Sequence, residues 1–273
     1  MARGLDCDGM IAREGALDKV PAAFVPVVDA ARARIAETFG ERLHSAYLYG
    51  SIPRGTAMPG VSDLDLLVVL HGEATDAEQA AARAFEAALD SSFPQINGVG
   101  IVLGSTCVLL SELERYDGGF FVACLCTPLL GEDLARQLPR YRPTTLLARE
   151  TNGDLALLLP RWRARAAEAA TEAARKVLSR GVGRRLVRTG FTLVMPRWNG
   201  WTSDLGQSAE VFGRYYPERA GQMRIAAAAG RIPSADPAVL GMLIEDLGPW
   251  LAAEYTAVHG EKAARTGAVP PPS

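Results

Sequence analysis

Residues 46–70, AYLYGSIPRGTAMPGVSDLDLLVVL, decide the fold of this chain. Two apolar runs, 46–49 and 66–70, flank a loop that contains three glycines. Both runs are too short for helices and are rich in residues that favour strands. We therefore predict one strand at 43–49, a second at 65–70, and a glycine-containing loop between them.

The loop closes with two acidic residues, Asp63 and Asp65, at the start of the second strand. Side chains alternate between the two faces of a strand, so both aspartates point the same way while Leu64 and Leu66 point into the core. Two carboxylates on one face repel each other and resist burial unless a cation neutralises them. Oxygen ligands of this kind suit Mg²⁺, which one or two carboxylates usually hold together with substrate phosphates.

The loop opens with Gly50-Ser51, directly after the first strand. This turn supplies backbone N–H groups and a hydroxyl that can receive phosphate oxygens. A phosphate-binding turn that faces two metal-binding carboxylates is the equipment for phosphoryl or nucleotidyl transfer. The alternative interpretation is a polar hairpin loop without a ligand, since many exposed strands carry two acids as a solvated face.

The spacing of these motifs resembles the signature of the DNA-polymerase-β-like nucleotidyltransferase superfamily: Gly-Ser, eleven residues, then Asp-x-Asp and an apolar strand. The form Gly-Ser-x-x-Arg-Gly with a later Ser-Asp-x-Asp is similar to that of the small bacterial members, including aminoglycoside nucleotidyltransferases. The matching positions are Gly50, Ser51, Arg54, Gly55, Ser62, Asp63 and Asp65. The resemblance implies that the two aspartates are catalytic and bind Mg²⁺. It also implies that the turn, with Arg54 and Ser62, binds ATP or another nucleoside triphosphate.

Most members of this superfamily carry a third carboxylate on a following strand. The corresponding segment here, 99–110, is predicted to form one bent strand or two short strands interrupted at Gly104-Ser105, and it contains no Asp or Glu. The nearest acids, Glu112 and Glu114, lie just past its end; either can replace the third acid, and we take Glu112 as the candidate catalytic residue. The alternative is that both are ordinary acids of a helix first turn, where the helix dipole favours them.

Composition places the chain among globular proteins, with 48% apolar and 22% charged residues. No apolar run approaches the length of a bilayer span, and the N-terminus lacks a signal-peptide core, so we expect a cytoplasmic protein without a membrane partner. The cysteines are few for this length, and we interpret them as reduced core thiols, since Cys124-x-Cys126 lacks the usual spacing of metal ligands.

The order of predicted elements indicates an α+β chain. A mixed-sheet nucleotidyltransferase core at 1–143 precedes an all-α helical bundle domain at 144–262, and we expect disorder in a tail at 263–273. In the core, residues 1–20 are a loose arm or a short helix, helices are predicted at 22–39 and 74–89, and a further strand at 120–126. In the bundle, helices are predicted at 155–178, 182–195, 205–212, 222–229 and 237–258.

The charges divide unevenly along the chain. Residues 1–143 hold 12 basic and 19 acidic side chains, and residues 144–273 hold 17 and 12. The net charge of −2 is not that of a dedicated nucleic-acid binder, so a nucleic-acid partner is not expected. The basic second half suits a role in holding a polyphosphate.

Among the basic residues of the bundle we single out Arg188 as a phosphate contact. It lies within the mainly apolar segment 186–193, where an unpaired charge is costly, and a guanidinium fork matches phosphate oxygens. Lys176, Arg180, Arg184 and Arg188 stand four apart, but we expect Gly181 and Gly183 to interrupt the helix that would align them. A solvated helix face is the alternative for these basic residues. Segment 185–217 also resembles the helical domain of streptomycin/spectinomycin-type adenylyltransferases.

The leading hypothesis is a metal-dependent nucleotidyltransferase that transfers AMP from ATP to a hydroxyl of a small molecule. The resemblance makes an aminoglycoside-like cationic sugar the natural acceptor, which an acidic first domain would attract. One alternative is a catalytically weak or inactive protein of the same fold with a regulatory or binding role, as in antitoxin-type members. Another is nucleotidylation of a tRNA or a protein. The sequence leaves the acceptor, the preferred nucleotide and the oligomeric state open.

Overall fold

A computed structural model describes residues 3–263 and divides into two compact units between Tyr141 and Arg142. The first unit is Ala12–Tyr141, and the second consists of residues 3–11 together with 142–263. This border lies two residues before the predicted end of the first domain at 143, and residues 3–11 group with the helical unit. The predicted tail lies outside the described residues, apart from Ala263.

The first unit is built on a four-stranded mixed sheet in the order β3-β2-β1-β4. β1 pairs antiparallel with β2 and β4, whereas β2 pairs parallel with β3. The strands are β1 Leu43–Tyr49, β2 Leu64–Leu70, β3 Val99–Ser105 and β4 Thr127–Gly131. The first two occupy their predicted positions, because short apolar runs and the glycine-containing loop between them are local signals.

Two long helices pack on one face of this sheet. They are α1, Val25–Phe39, and α2, Asp76–Ser92, close to their predicted positions. Their apolar sides and alternate residues of β2 form one buried core. Thr75 caps α2: its hydroxyl accepts from the backbone N–H of Glu78 at 3.2 Å, and the Glu78 carboxylate accepts from the backbone N–H of Thr75 at 2.8 Å.

Short helical segments cover part of the other face, and two strand predictions fail there. The helical segments on this face are α3 Thr106–Leu109, α4 Gly118–Phe120, a π-helical turn Phe121–Leu125 and a 3-10 turn Leu134–Gln137. The strand predicted at 99–110 ends at Ser105, whose hydroxyl caps α3. The strand predicted at 120–126 is helical, and the true strand, β4, follows it. A short apolar run does not distinguish helix from strand, and Pro128 is tolerated because β4 lies at the sheet edge.

All four cysteines lie within the described residues and carry free thiols. Cys124 and Cys126 are buried, as expected of core thiols, whereas Cys7 and Cys107 are exposed. Burial raises the pKa of the Cys124 thiol to about 12.

Among the described residues, the second unit is built of helices, apart from one isolated antiparallel bridge between Leu5 and Ile11. Its helices are α5 Thr145–Asn152, α6 Leu155–Glu168, α7 Glu172–Trp198, α8 Leu205–Tyr215, α9 Ala220–Arg231, α10 Pro237–Gly241 and α11 Gly248–His259, the last two joined by a π-helical turn, Met242–Leu247. The single helix predicted at 155–178 is two helices that separate at 169–171, and α5 is not predicted. None of the helices in residues 3–263 combines the length and apolar character that a bilayer crossing requires.

α7 is continuous for 27 residues, so Gly181 and Gly183 do not interrupt it. A β-carbon at Gly183 would lie 2.6 Å from the backbone oxygen of Ala226, which shows that this glycine lets α7 and α9 approach closely. Tertiary packing outweighs the low helix propensity of glycine at this position.

Candidate active site

The candidate site lies at the edge of the sheet where β1 ends and β2 begins. Tyr49, the last residue of β1, pairs with Asp65 of β2 in antiparallel register. Asp65 also pairs with Gly100 of the parallel neighbour β3. This pairing brings the Gly50-Ser51 turn, the two aspartates and the beginning of β3 to one edge.

The turn and the second aspartate are in direct contact. Gly50 has a φ of +81°, a left-handed conformation that favours glycine. A β-carbon at this position would lie 2.3 Å from Oδ2 of Asp65, well inside a van der Waals contact. The carboxylate therefore sits against the backbone of the turn, and the local conformation and the space both require glycine.

Asp63 and Asp65 share one face of the sheet, as strand alternation predicts. Leu64 is fully buried on the opposite face, within the core formed with α1 and α2. A β-carbon at Gly98 would lie 3.6 Å from Oδ1 of Asp63, and one at Gly100 would lie 3.8 Å from Oδ1 of Asp65. The two carboxylates thus lie beside Gly98, the residue before β3, and beside Gly100, the second residue of β3.

Asn97 contacts the candidate site, although no sequence signal points to it. Its side-chain amide donates to Oδ1 of Asp63 at 3.3 Å, and its backbone N–H donates to the carbonyl of Ser62 at 3.0 Å. The next backbone hydrogen bond between the two segments is from the N–H of Leu64 to the carbonyl of Gly98, at 2.8 Å. No local motif indicates this contact, because it depends on the register between β2 and β3.

The loop between the turn and the aspartates is held by its own hydrogen bonds. Ile52 is fully buried and anchors the loop in the core. The backbone N–H of Thr56 donates to the carbonyl of Ser51 at 3.0 Å. Ser62, a predicted nucleotide contact, is buried, and its hydroxyl accepts from the backbone N–H of Met58 at 3.0 Å. In this structure Ser62 shapes the loop, and its contact with a nucleotide stays a prediction.

Arg54, predicted to bind phosphate, lies in an ion pair within the first unit. Its Nη1 is 3.6 Å from Oε2 of Glu14, a residue that precedes α1. No sequence signal points to a role for Glu14, because a helix and a strand separate it from Arg54.

Within the described residues, Glu112 is not grouped with the two aspartates as a metal-binding cluster, and its catalytic role stays a prediction. In residues 3–263, no group of three or more His, Cys, Asp or Glu side chains is placed to hold a metal ion. β3 runs parallel to β2 and ends at Ser105, roughly 16 Å beyond Gly100 at the usual rise per strand residue. The chain therefore reaches Glu112 only after leaving the opposite edge of the sheet.

The two acids that follow β3, Glu112 and Glu114, make contacts within the turn in which they lie. The Glu112 side chain is 79% exposed and forms an ion pair with Arg115. The Glu114 carboxylate accepts from the backbone N–H of Gly118 at 3.1 Å. The residue of β3 beside Asp65 is Gly100, which has no side chain and so supplies no third carboxylate.

Arg188 belongs to the second unit, in the middle of α7. Its neighbours Val187 and Thr189 are buried, but Arg188 itself is exposed, so the argument that its charge would be costly there is wrong. A helix presents a polar side chain outward within an apolar segment whenever that position falls on its solvent face. The contact of Arg188 with phosphate stays a prediction.

Comparison with known proteins supports the sequence resemblance. Residues 32–96 match a family model described as a nucleotidyltransferase domain, a segment that contains the turn and both aspartates. Ten chains of solved structures match the fold. One is the spectinomycin adenyltransferase AAD(9) from Enterococcus faecialis with ATP and spectinomycin, at a TM-score of 0.52 and 13% identity, covering 85% of this chain and 98% of that chain. Comparison with curated protein sequences gave no match.

These findings confirm two predictions. The resemblance to the polymerase-β-like superfamily is supported by the matched domain and by the fold. The α+β class, a mixed-sheet core followed by a helical unit, is what the structure contains. At 13% identity the solved structure shows likeness of fold alone.

Proposed function

We propose that this chain, a nucleotidyltransferase by its matched domain, transfers AMP from ATP to a hydroxyl group of a small molecule in a metal-dependent reaction. One observation carries the proposal: the Asp65 carboxylate lies against the Gly50 turn, while Asp63 faces the same side of the sheet. The turn can offer backbone N–H groups to a phosphate, and the carboxylate pair can attract a cation. One of the two carboxylates, that of Asp65, is in direct contact with the turn.

The donor set fits Mg²⁺. Asp63 and Asp65 would hold the ion, because hard oxygen ligands and one or two carboxylates beside substrate phosphates are its usual environment in proteins. An Mg²⁺ ion bound there would neutralise negative charge on the triphosphate and on the oxygens that react.

The remaining groups position the substrates. Backbone N–H groups of the Gly50-Ser51 turn would receive phosphate oxygens, and Asn97 orients Asp63. The acceptor oxygen bonds to the α-phosphorus, the bond from that phosphorus to the bridging oxygen breaks, and pyrophosphate leaves. The hydroxyl proton passes to water or to one of the two aspartates, since the described residues group no third carboxylate with them.

A cationic sugar is the acceptor that we propose. Residues 1–143 carry an excess of seven acidic over basic side chains, 19 against 12, which favours a positively charged molecule. The structural neighbour AAD(9) was solved with ATP and spectinomycin, a precedent for a small-molecule acceptor on a similar fold. ATP as the co-substrate suits a cytoplasmic enzyme.

Isothermal titration of Mg-ATP tests the metal and nucleotide assignments. We expect Asp65→Asn to weaken binding on the order of tenfold or more, because it removes one of two ligand charges. Asp90→Asn, an exposed site at the end of α2, is the matched control and should bind as the unmodified protein does. Equal affinity for Asp65→Asn and Asp90→Asn would remove the metal site from this proposal.

A second candidate is a protein that binds the nucleotide without turning it over. The observation that favours it is Gly100, which stands beside Asp65 where a third carboxylate would complete the site. Incubation with labelled triphosphates and a panel of hydroxylated acceptors separates the two candidates. Labelled product with any acceptor excludes the second, whereas binding without product across the panel supports it.

A further inference from the structure

The segment 13–19, which we call the strap, is fixed to the body of the first unit. Arg13 donates to both carboxylate oxygens of Asp133 at 2.8 and 3.1 Å and to the carbonyl of Ala123 at 3.1 Å. The backbone N–H of Glu14 donates to the carbonyl of Cys124 at 3.0 Å. The expectation of a loose arm or short helix at 1–20 is therefore wrong for this segment, apart from a three-residue 3-10 turn at Leu17–Lys19.

The strap also lies against the loop that follows the Gly-Ser turn. The backbone N–H of Ala16 donates to the carbonyl of Pro53 at 3.0 Å. A β-carbon at Gly15 would lie 3.0 Å from the β-carbon of Pro53, and one at Gly55 would lie 3.0 Å from the carbonyl oxygen of Lys19. Residues on both sides of Arg54 are thus in contact with the strap.

Between these contacts lies the ion pair of Glu14 with Arg54, 3.6 Å from Oε2 to Nη1. The Glu14 side chain is only 14% exposed and that of Arg54 is 32% exposed. Arg54 is the sole basic residue of 46–70, the stretch that contains the turn and both aspartates. A guanidinium carries five N–H donors, so engagement of Nη1 by one carboxylate leaves donors for a second anion.

We propose that Glu14 is a positioning residue: it holds the Arg54 guanidinium in the orientation that binds the β- or γ-phosphate of the nucleotide. This inference rests on the proposed function. An arginine side chain loses conformational entropy when it is fixed, and a partner that fixes it beforehand reduces that loss at the moment of binding. The fixed strap supplies such a partner, because its backbone is tied to both the body of the unit and the loop.

A double-mutant cycle tests the proposal through the dissociation constants of Mg-ATP and AMP. We expect Glu14→Gln to weaken Mg-ATP binding about 5- to 10-fold, while AMP, which lacks the outer phosphates, binds as before. In an Arg54→Ala background, Glu14→Gln should have no further effect. A general structural role would weaken both nucleotides equally and would persist without Arg54.

The control is Glu37→Gln, which removes a carboxylate from a different ion pair of similar length, 3.7 Å, with Arg34 on α1. It should leave both affinities unchanged. Circular dichroism checks the fold of each variant. If Glu14→Gln does not fold, Glu14→Asp carries the same test, because its shorter side chain withdraws the carboxylate from Arg54.

Unchanged or tighter binding of Mg-ATP by the Glu14 variant would overturn the inference, and so would an equal loss in the Arg54→Ala background. Tighter binding would mean that Glu14 competes with the phosphate for Arg54. Failure of the unmodified protein to bind Mg-ATP at all would instead refute the proposed function.

Discussion

The Asp65 carboxylate lies against the backbone of Gly50, so close that a β-carbon on the glycine would be 2.3 Å from Oδ2. Asp65 pairs in register with Tyr49, and Gly50 directly follows Tyr49. The pairing of β1 with β2 therefore fixes the contact between Gly50 and Asp65. The position of the metal-binding group relative to the phosphate-binding turn therefore depends on glycine at position 50.

We expect Gly50→Ala to lower Mg-ATP affinity and activity on the order of 100-fold, since the methyl group must displace Asp65 or the turn. Gly60→Ala is the matched control. Gly60 also has a positive φ, +71°, but a β-carbon there meets nothing within 4 Å. Both variants share the backbone strain, so the difference between them measures the contact with Asp65. Equal losses would show that strain alone is responsible.

Gly100→Glu should supply the acid that the site lacks. A β-carbon at Gly100 would lie 3.8 Å from Oδ1 of Asp65, an ordinary contact that leaves room for a side chain. We expect the Mg²⁺ concentration at half-maximal activity to fall on the order of tenfold, and the melting temperature without Mg²⁺ to fall because like charges then face each other. Gly100→Gln has nearly the same volume without the charge. The same Mg²⁺ dependence in both variants would contradict this prediction.

Asn97→Ala should raise the dissociation constant of Mg-ATP about fivefold. The substitution removes the 3.3 Å hydrogen bond to Asp63, and such a bond contributes about 1 kcal/mol. Gln95→Ala is the control, because the loop contact of Gln95, from Gly60 N–H at 2.8 Å, uses its backbone carbonyl. Isothermal titration measures both. An equal change in the two variants would remove Asn97 from the site.

The two glycines of α7 should respond to alanine in opposite ways. Gly181→Ala meets nothing within 4 Å and should stabilise the protein by about 0.5–1 kcal/mol, the gain from higher helix propensity. Gly183→Ala places a methyl group 2.6 Å from the Ala226 oxygen and should destabilise it by about 1–3 kcal/mol. Denaturant unfolding gives both values. Stabilisation by both substitutions would show that α7 and α9 are not in close contact at Gly183.

Stability should fall in mild acid because of His259. Burial lowers the pKa of this histidine from its ordinary value of 6.5, and its Nε2 lies 3.0 Å from the carbonyl of Leu193. The folded protein thus excludes a proton that the unfolded chain accepts. The contribution of His259 to the free energy of unfolding is present above pH 6.5, and it is lost as the pH falls towards the lower pKa of His259 in the folded protein.

The measurement is the melting temperature between pH 7.5 and 5.5 in the unmodified protein and in His259→Gln. The variant should show a smaller decrease. Some pH dependence should remain, because burial and the neighbouring His71 also lower the pKa of His44. Identical pH profiles would show that His259 does not titrate on unfolding.

Much of the first unit could be predicted because its signals are local. Short apolar runs rich in strand-favouring residues give β1 and β2, helical spacing of apolar residues gives α1, and the spacing of the Gly-Ser and Asp-x-Asp motifs gives the candidate site. The helical turn at Phe121–Leu125 is wrongly predicted as a strand, since a short apolar run fits a strand and a buried helical turn equally well.

The sequence by itself determined that two aspartates share a face beside a glycine turn, because strand alternation and turn chemistry act between neighbours along the chain. Only the tertiary structure decided what surrounds them. The parallel register of β3 places Asn97 and Gly100 beside the carboxylates, and the strap brings Glu14 to Arg54. These contacts join residues far apart in sequence, and their positions follow from how the whole unit packs, which no local pattern encodes.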